Sequence, residues 1–214
     1  MLFGEIPRDS ARVAEGVAHV PHALDLAAQR ELVDAGRELA RQARMRRPEL
    51  LSGTMSVYMA AAGYRWVGDL NTYELAPVEM PEWAIQLGKR GLEQAAALAD
   101  ELQVWVAGFR PEMVLVNYYP PGARMGLHQD AGEESAAPIV SYSVGESALF
   151  RLGNTENRNR PWRDIQLLSG DLLVFGGAHR MAYHGVPRLY PGTCPAGCGL
   201  AEGRINVTIR QVTL

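Results

Sequence analysis

Ile139-Val140-Ser141-Tyr142-Ser143-Val144-Gly145-Glu146-Ser147-Ala148-Leu149-Phe150-Arg151-Leu152 sets two short runs of β-branched, aromatic and aliphatic residues on either side of a glycine. The same texture holds from Val104 to the end, where such runs are separated by Gly, Pro, Asn and Asp, as strands with tight connections are. Strands are predicted at residues 114–119, 139–144, 149–152, 165–168, 172–175, 182–186 and 205–211. Seven short strands with no helix between them argue for an antiparallel sandwich or barrel and against a parallel α/β sheet.

The first hundred residues read mostly as helix. Ala28, Leu32, Ala35 and Leu39 recur at helical spacing, opposed by Arg30, Asp34, Arg37, Glu38 and Arg41. That helix is predicted to end by Arg47, because Pro48 disfavours helical geometry in the residue before it. A second helix is predicted from Pro81, with Ala84, Leu87, Gly91, Leu98 and Leu102 on its apolar face. Between them, residues 54–59 and 64–73 are rich in Met, Trp and Tyr and read as strands or a substrate-facing loop. No fixed-period repeat is visible, so a solenoid is not expected. One domain spanning 1–214 is expected, with helical support over about 1–110 and a mainly β core, barrel or double sheet, over 111–214.

Composition narrows the function classes. With 214 residues, 47% hydrophobic and 21% charged, the chain is ordinary for a globular protein. A formal net charge of −3 supplies no molecule-wide positive field, so any nucleic-acid site must be local. Neither a signal sequence nor a run of roughly 20 apolar residues is present, and a cytoplasmic protein with no membrane partner is expected. Cys194 and Cys198 have no neighbouring histidine to complete a zinc set and read as loop thiols.

His128-Gln129-Asp130 places an imidazole and a carboxylate at i and i+2, on one side of an extended segment. A third candidate ligand, His184, lies far along the β-rich half. Two histidines and a carboxylate leave facial positions open, as iron(II) requires to take a bidentate 2-oxo acid and dioxygen. A lone H-x-D also recurs by chance, and a strand histidine is more often a hydrogen-bonded bystander. The chain's end weighs against chance: Arg204, Asn206, Thr208 and Arg210 alternate with Ile205, Val207 and Ile209. Two guanidinium groups aimed at a barrel interior call for buried anions, whereas on an edge strand they would form a solvated face. Six residues of extended chain set the two arginines roughly 20 Å apart, so both lean inward or each serves a different group.

Together these residues resemble the AlkB family of iron and 2-oxoglutarate dependent nucleic-acid dealkylases. The match runs through Thr54-Met55-Ser56-Val57, Asn117-Tyr118-Tyr119, Pro121-Gly122-Ala123, Leu127-His128-Gln129-Asp130, Ala137-Pro138-Ile139-Val140-Ser141, Gly170-Asp171, Gly176-Gly177, Tyr183-His184-Gly185 and Arg204-x-Asn206-x-Thr208-x-Arg210. The resemblance implies a double-stranded β-helix (jelly-roll) core with N-terminal helices and a nucleotide-recognition lid. It implies iron(II) on His128, Asp130 and His184, which are thereby also the catalytic centre, with dioxygen and 2-oxoglutarate as co-substrates. Arg204 would pair with the distal 2-oxoglutarate carboxylate, Asn117, Tyr119 and Asn206 would hydrogen-bond it, and Arg210 would sit near its other carboxylate and Asp130. The implied activity is oxidative demethylation of bases such as 1-methyladenine and 3-methylcytosine in single- or double-stranded DNA, with RNA open, by a monomer. Trp66 would stack the base, with Met59 and Tyr73 beside it.

One position departs from the pattern. Relatives commonly carry a second acid two residues past the metal aspartate, in contact with the base; here that position is Gly132, and either Glu133 substitutes for it or base preference differs. Of two basic clusters, Arg41, Arg44, Arg46 and Arg47 read as a solvated helix end, and Arg158, Arg160 and Arg163 are preferred for nucleic acid, Arg163 as a substrate contact. Alternatives are the same chemistry on RNA, protein or a small metabolite, a non-catalytic sensing protein, and a zinc or manganese cupin.

Overall fold

The computed structural model describes residues 8–50, 53–68 and 70–214. In chain order the elements are β1 (Ala11–Ala14), β2 (Val17–Val20), α1 (Leu26–Gln42), β3 (Glu49–Leu50), β4 (Gly53–Thr54), β5 (Tyr58–Ala62), β6 (Tyr64–Val67), β7 (Thr72–Leu75), α2 (Glu82–Ala96) and α3 (Gln103–Val106). They continue as β8 (Met113–Tyr119), β9 (Met125–His128), β10 (Ile139–Gly145), β11 (Ser147–Leu152), β12 (Arg163–Leu167), β13 (Leu172–Phe175), β14 (His184–Tyr190) and β15 (Arg204–Arg210).

Alternation in the strands dictates two layers. On β15, Ile205, Val207 and Ile209 join Val116, Val140 and Val144 against Leu32, Val33 and Leu39 of α1 and Leu87, Leu92 and Ala95 of α2. Gly91 lets α2 lie close on the sheet, since a Cβ there would sit 2.7 Å from Val140 Cγ1. The strands order as β1-β2-β13-β10-β15-β8-β5 in a seven-stranded major sheet and β12-β11-β14-β9 in a minor one. Their pairings are antiparallel. Between the sheets, Tyr119, Ile139, Leu173 and Phe175 of the major sheet pack on Phe150, Leu152, Ile165, Val186 and Leu189 of the minor one. This is a double-stranded β-helix with helices on the outer face of one sheet. Burial of both faces leaves every residue of β15 buried, so its arginines are not a solvated edge.

All seven predicted strands are present, with ends displaced by a few residues; the largest change is β14, which runs on to Tyr190. Two features differ from expectation, and a third is placed more narrowly. The stretch before α1 forms the hairpin β1–β2, and β2 pairs with β13 in the major sheet. The first helix ends within the expected limit of Arg47 but already at Gln42: Arg44 takes φ 52, and Arg46 forms a bridge with Met59 instead. The second helix ends at Ala96, so Leu98 and Leu102 pack from beyond it. Cys194 and Cys198 are free thiols 3.5 Å apart, and burial pushes Cys194 up to about 12. Among the described residues no helix is long and apolar enough to cross a membrane.

Candidate active site

The minor sheet brings the separated histidines together. His128 ends β9, His184 begins β14, and the two are cross-strand partners with ring centroids 4.5 Å apart. Asp130 lies just past β9, with Oδ1 3.6 Å from His128 Nε2 and Oδ2 3.4 Å from His184 Nε2. One candidate ligand atom from each of the three lies within 4.8 Å of the others. Each imidazole directs Nδ1 at a backbone carbonyl, His128 at Gly126 (3.0 Å) and His184 at Ala182 (2.9 Å). A carbonyl only accepts, so Nδ1 carries the hydrogen and both Nε2 lone pairs point at the shared space. Burial pulls the pKa of His184 down. At His128 burial pulls the same way, but Asp130 outweighs it and the pKa is raised. Burial also works against the Asp130 charge, yet Arg210 and His184 hold that carboxyl well below its usual range. Two imidazoles directing Nε2 at the same space as an ionised carboxylate are a donor set suited to iron(II).

Arg204 and Arg210 serve different groups. Arg210 Nη2 lies 2.7 Å from Asp130 Oδ2, and its Nη1 donates to Tyr73 Oη at 2.7 Å and Glu133 Oε1 at 2.9 Å. Arg204, 1% exposed, donates through Nη2 to Ser143 Oγ at 2.8 Å and lies 5.1 Å from the Tyr119 ring centroid. Its Nε and Nη1 have no partner, and neither has the buried Asn117 Oδ1. Burial lowers the Arg204 pKa. A buried guanidinium with two open donor atoms fits a ligand carboxylate, so the residues present suit 2-oxoglutarate. Asn206 lies between the arginines; its amide nitrogen donates to Ser141 Oγ at 2.7 Å and the Tyr142 carbonyl at 3.0 Å. Tyr119 Oη contacts Met125 Sδ at 3.6 Å.

The remaining candidates surround this centre. Met59 pairs with Asn117, which pairs with Asn206, so it lies on the site-facing side of the major sheet. Trp66 and Tyr73 are cross-strand partners on the hairpin β6–β7 and therefore share a face. Because the Tyr73 hydroxyl donates to Glu133 Oε1 at 2.9 Å beside Arg210, that face is the one turned to the centre. Arg163, Leu152, His184 and His128 form one row across the minor sheet, with exposed Arg163 at its rim. Glu133 departs from its expected role. Its carboxylate is 1% exposed and held by Arg180 (3.3 Å), Arg210 and Tyr73, so it is a buried tether and not a group facing a base.

Four further residues were not among the sequence candidates in these roles. Ser143 holds Arg204, and the polar Ser141 and Ser143 within an otherwise apolar strand were the available signal. Arg180 donates to the Asp130 carbonyl at 2.8 Å and the Ala137 carbonyl at 2.8 Å, fixing the metal loop. Gln129 ties that loop to the Thr155 carbonyl (3.1 Å) and the Met181 carbonyl (2.7 Å). Asn71 Oδ1 accepts the Trp66 indole N–H at 3.1 Å. No local pattern marked these last three, whose partners are set by tertiary structure or by a hairpin turn.

A facial two-histidine, one-carboxylate set and an unpaired buried guanidinium, enclosed by a double-stranded β-helix, define an iron(II)- and 2-oxoglutarate-dependent dioxygenase. Residues 16–210 match the 2OG-Fe(II) oxygenase superfamily. The chain is 39% identical over 198 residues to the alpha-ketoglutarate-dependent dioxygenase AlkB homolog of Caulobacter vibrioides (strain NA1000 / CB15N), covering 89% of this chain and 85% of that one. It is 35% identical over 148 residues to the DNA N(6)-methyladenine demethylase ALKBH1D of Arabidopsis thaliana, covering 62% of this chain and 33% of that one. The solved structure of OsALKBH1 shares the fold, with a TM-score of 0.82 at 24% identity over 95% of this chain and all of that one. The chain belongs to the AlkB family of this superfamily.

Proposed function

We propose that the protein removes methyl groups from the nitrogens of bases in DNA by oxidative demethylation, with His128, Asp130 and His184 holding iron(II) and Arg204 holding the distal carboxylate of 2-oxoglutarate. The chemistry such a centre supplies with dioxygen is decarboxylation of 2-oxoglutarate to succinate coupled to hydroxylation of a nearby C–H bond. An N-methyl group hydroxylated in this way departs as formaldehyde and leaves N–H. Asn117, Tyr119 and Asn206 would orient the co-substrate, and Arg210 would hold Asp130 ionised and in place.

The observation that carries the reading is the face of β6–β7 turned to the centre, where Trp66 stands beside Tyr73. A base must leave its stack to reach a buried centre, and an indole compensates that loss through stacking worth about 1–3 kcal/mol. Met59 lies on the adjoining sheet face, and Arg163 at the rim of the histidine row suits a flanking phosphate. The Arabidopsis relative is named for demethylating DNA, which supports the same substrate class here.

The test is formaldehyde release from single-stranded DNA oligomers carrying one N-methylated base, with iron(II), ascorbate and 2-oxoglutarate. Release is expected from the wild type and not from His128→Ala. Trp66→Ala is expected to go on forming succinate while losing most methyl removal. Succinate without formaldehyde from every wild-type reaction would overturn the substrate class and leave the oxygenase standing. Release from RNA oligomers alone would move the substrate to RNA.

A further inference from the structure

The loop 191–203 joins the strand that begins at His184 to the strand that begins at Arg204, and it carries both cysteines of the chain. Their Sγ atoms are 3.5 Å apart, and both thiols donate to the Leu200 carbonyl, Cys194 at 3.3 Å and Cys198 at 3.8 Å. Cys198 is fully buried in the core shared with α1, whereas Cys194 is partly exposed. The loop is pinned on either side of the pair. Gly192 N–H donates to Glu146 Oε1 at 3.1 Å and Ser147 N–H to Thr193 Oγ1 at 2.8 Å, while Arg30 and Arg37 of α1 hold the Gly197 and Gly199 carbonyls at 3.1 and 2.7 Å. A segment clamped in this way keeps the sulfurs facing each other, which lowers the entropic cost of joining them.

A disulfide brings its sulfurs to about 2.05 Å, so closing this pair takes a movement of about 1.5 Å. Oxidation would remove both S–H donors, and the Leu200 carbonyl would lose the two thiols that hold it. Leu200 packs on Gly145, where a Cβ would lie 2.8 Å from Leu200 Cδ1 and 3.2 Å from Arg204 Cα, and Gly145 is the cross-strand partner of Arg204. Freeing Leu200 therefore loosens the packing at the start of β15, where the guanidinium with two open donor atoms is held.

We propose that Cys194 and Cys198 form a reversible disulfide under peroxide, and that its closure weakens 2-oxoglutarate binding at Arg204. The second half rests on the proposed function, which places that acid on Arg204; the first half does not. Cys194, the accessible thiol, takes an oxygen from the peroxide to give a sulfenic acid and one water. The Cys198 sulfur then attacks the oxidised sulfur, its proton leaves with the hydroxyl as a second water, and the S–S bond forms. Two electrons pass from the sulfurs to one peroxide, and a dithiol reductant returns them. Burial pushes the Cys194 thiol up to about 12, with Cys198 and Glu146 acting in the same direction, so little thiolate is present and oxidation runs over minutes to hours.

The full chain, free of iron, would be treated with hydrogen peroxide, freed of it, and compared with protein kept in dithiothreitol. Intact mass and thiol titration after denaturation read the first half. Both thiols are expected to vanish together, with the loss of two hydrogens and no dimer on a non-reducing gel. Anaerobic calorimetry with a redox-silent divalent metal reads the second half, where the Kd for 2-oxoglutarate is expected to rise about tenfold and to return with dithiothreitol. Cys194→Ser keeps a hydroxyl donor for the Leu200 carbonyl and leaves only the buried thiol, so it should bind 2-oxoglutarate as the reduced wild type does and hold that Kd after peroxide. Addition of oxygen without a disulfide, a disulfide between chains, or an unchanged Kd in the oxidised wild type would overturn the proposal. If the disulfide forms and the reduced protein does not bind 2-oxoglutarate either, the proposed role of Arg204 fails and the thiol chemistry alone stands.

Discussion

At the residue scale the site is governed by how buried charges are neutralised. Glu133 pairs with Arg180 and Arg210 where all three side chains are almost wholly buried. Glu133→Ala removes the carboxylate paired with Arg180, while Arg210 keeps Asp130, so it is expected to cost about 3 kcal/mol, read from urea unfolding of the wild type and variant. A loss below 1 kcal/mol would mean that water already reaches the cluster. Asp171 gives the pH-dependent counterpart. Its buried carboxylate accepts from Arg8 Nη1 and Nη2 at 2.6 Å each and lies 2.9 Å from His19 Nε2. Burial would raise its pKa, but those partners lower it from 3.8 to about 2. The folded-state pKa is depressed, so the stabilisation is complete above pH 4 and is lost as pH falls toward 2. It amounts to roughly 2–3 kcal/mol, and Asp171→Asn should flatten that limb of the acid-unfolding curve. The sequence made the candidate ligand set visible because residue type and order suffice to suggest it, but not the partners. Ser143 is 61 positions from Arg204 and Arg180 is 50 from Asp130, and no local periodicity encodes such pairings.

At the element scale, legibility followed length and turn chemistry. β10, β13 and β15 stand out in sequence because both of their faces are buried. The four-residue strands β1, β2 and β9 are too short to separate from loop by pattern, and β1–β2 also lay in a stretch whose helical periodicity dominated. The hairpin β6–β7 was readable as strand or loop, but what it does depends on docking. Two points hold it: the Tyr73 hydroxyl between Glu133 and Arg210, and the Asn71 backbone against Gly132. Gly132→Ala would push the hairpin off the loop through a clash that its positive φ worsens. Displacement of about 1 Å at a stacking surface costs on the order of a hundredfold in extreme cases. The expected result is a KM for methylated DNA raised about tenfold or more, with succinate formation in the absence of DNA close to wild type. Tyr73→Phe removes one tether and keeps the ring, so a smaller rise of about fivefold is expected. Equal loss of DNA-free turnover in both variants would show instead that the hairpin supports the metal loop itself.

At the scale of the whole molecule, two sheets share one core, and the residues proposed to bind cofactors occupy the space between them. The major sheet contributes Arg204, Asn206 and Asn117, and the minor sheet contributes His128 and His184 as facing partners. A ligand that engages both sheets binds only the folded state and must stabilise it by mass action. Arg204 makes this testable, because without its anion it is a buried charge with Nε and Nη1 unpartnered. With 2-oxoglutarate at about 100 times its Kd beside a redox-silent divalent metal, the gain is about 2.7 kcal/mol. For a domain of this size that corresponds to a Tm rise of roughly 5–10 °C in an anaerobic thermal melt. Arg204→Met fills a similar volume without the charge. It should melt no lower than the wild type in the absence of ligand, since replacing a buried uncompensated charge by an apolar side chain is neutral or stabilising. It should also lose the rise produced by 2-oxoglutarate while keeping the rise produced by metal alone. That separation follows from the proposed division of the site between the sheets, with the metal on the minor sheet and its loop and the co-substrate on the major sheet as well. A variant that kept the full 2-oxoglutarate response would place the anion elsewhere, with Arg210 as the remaining buried cation on the same strand.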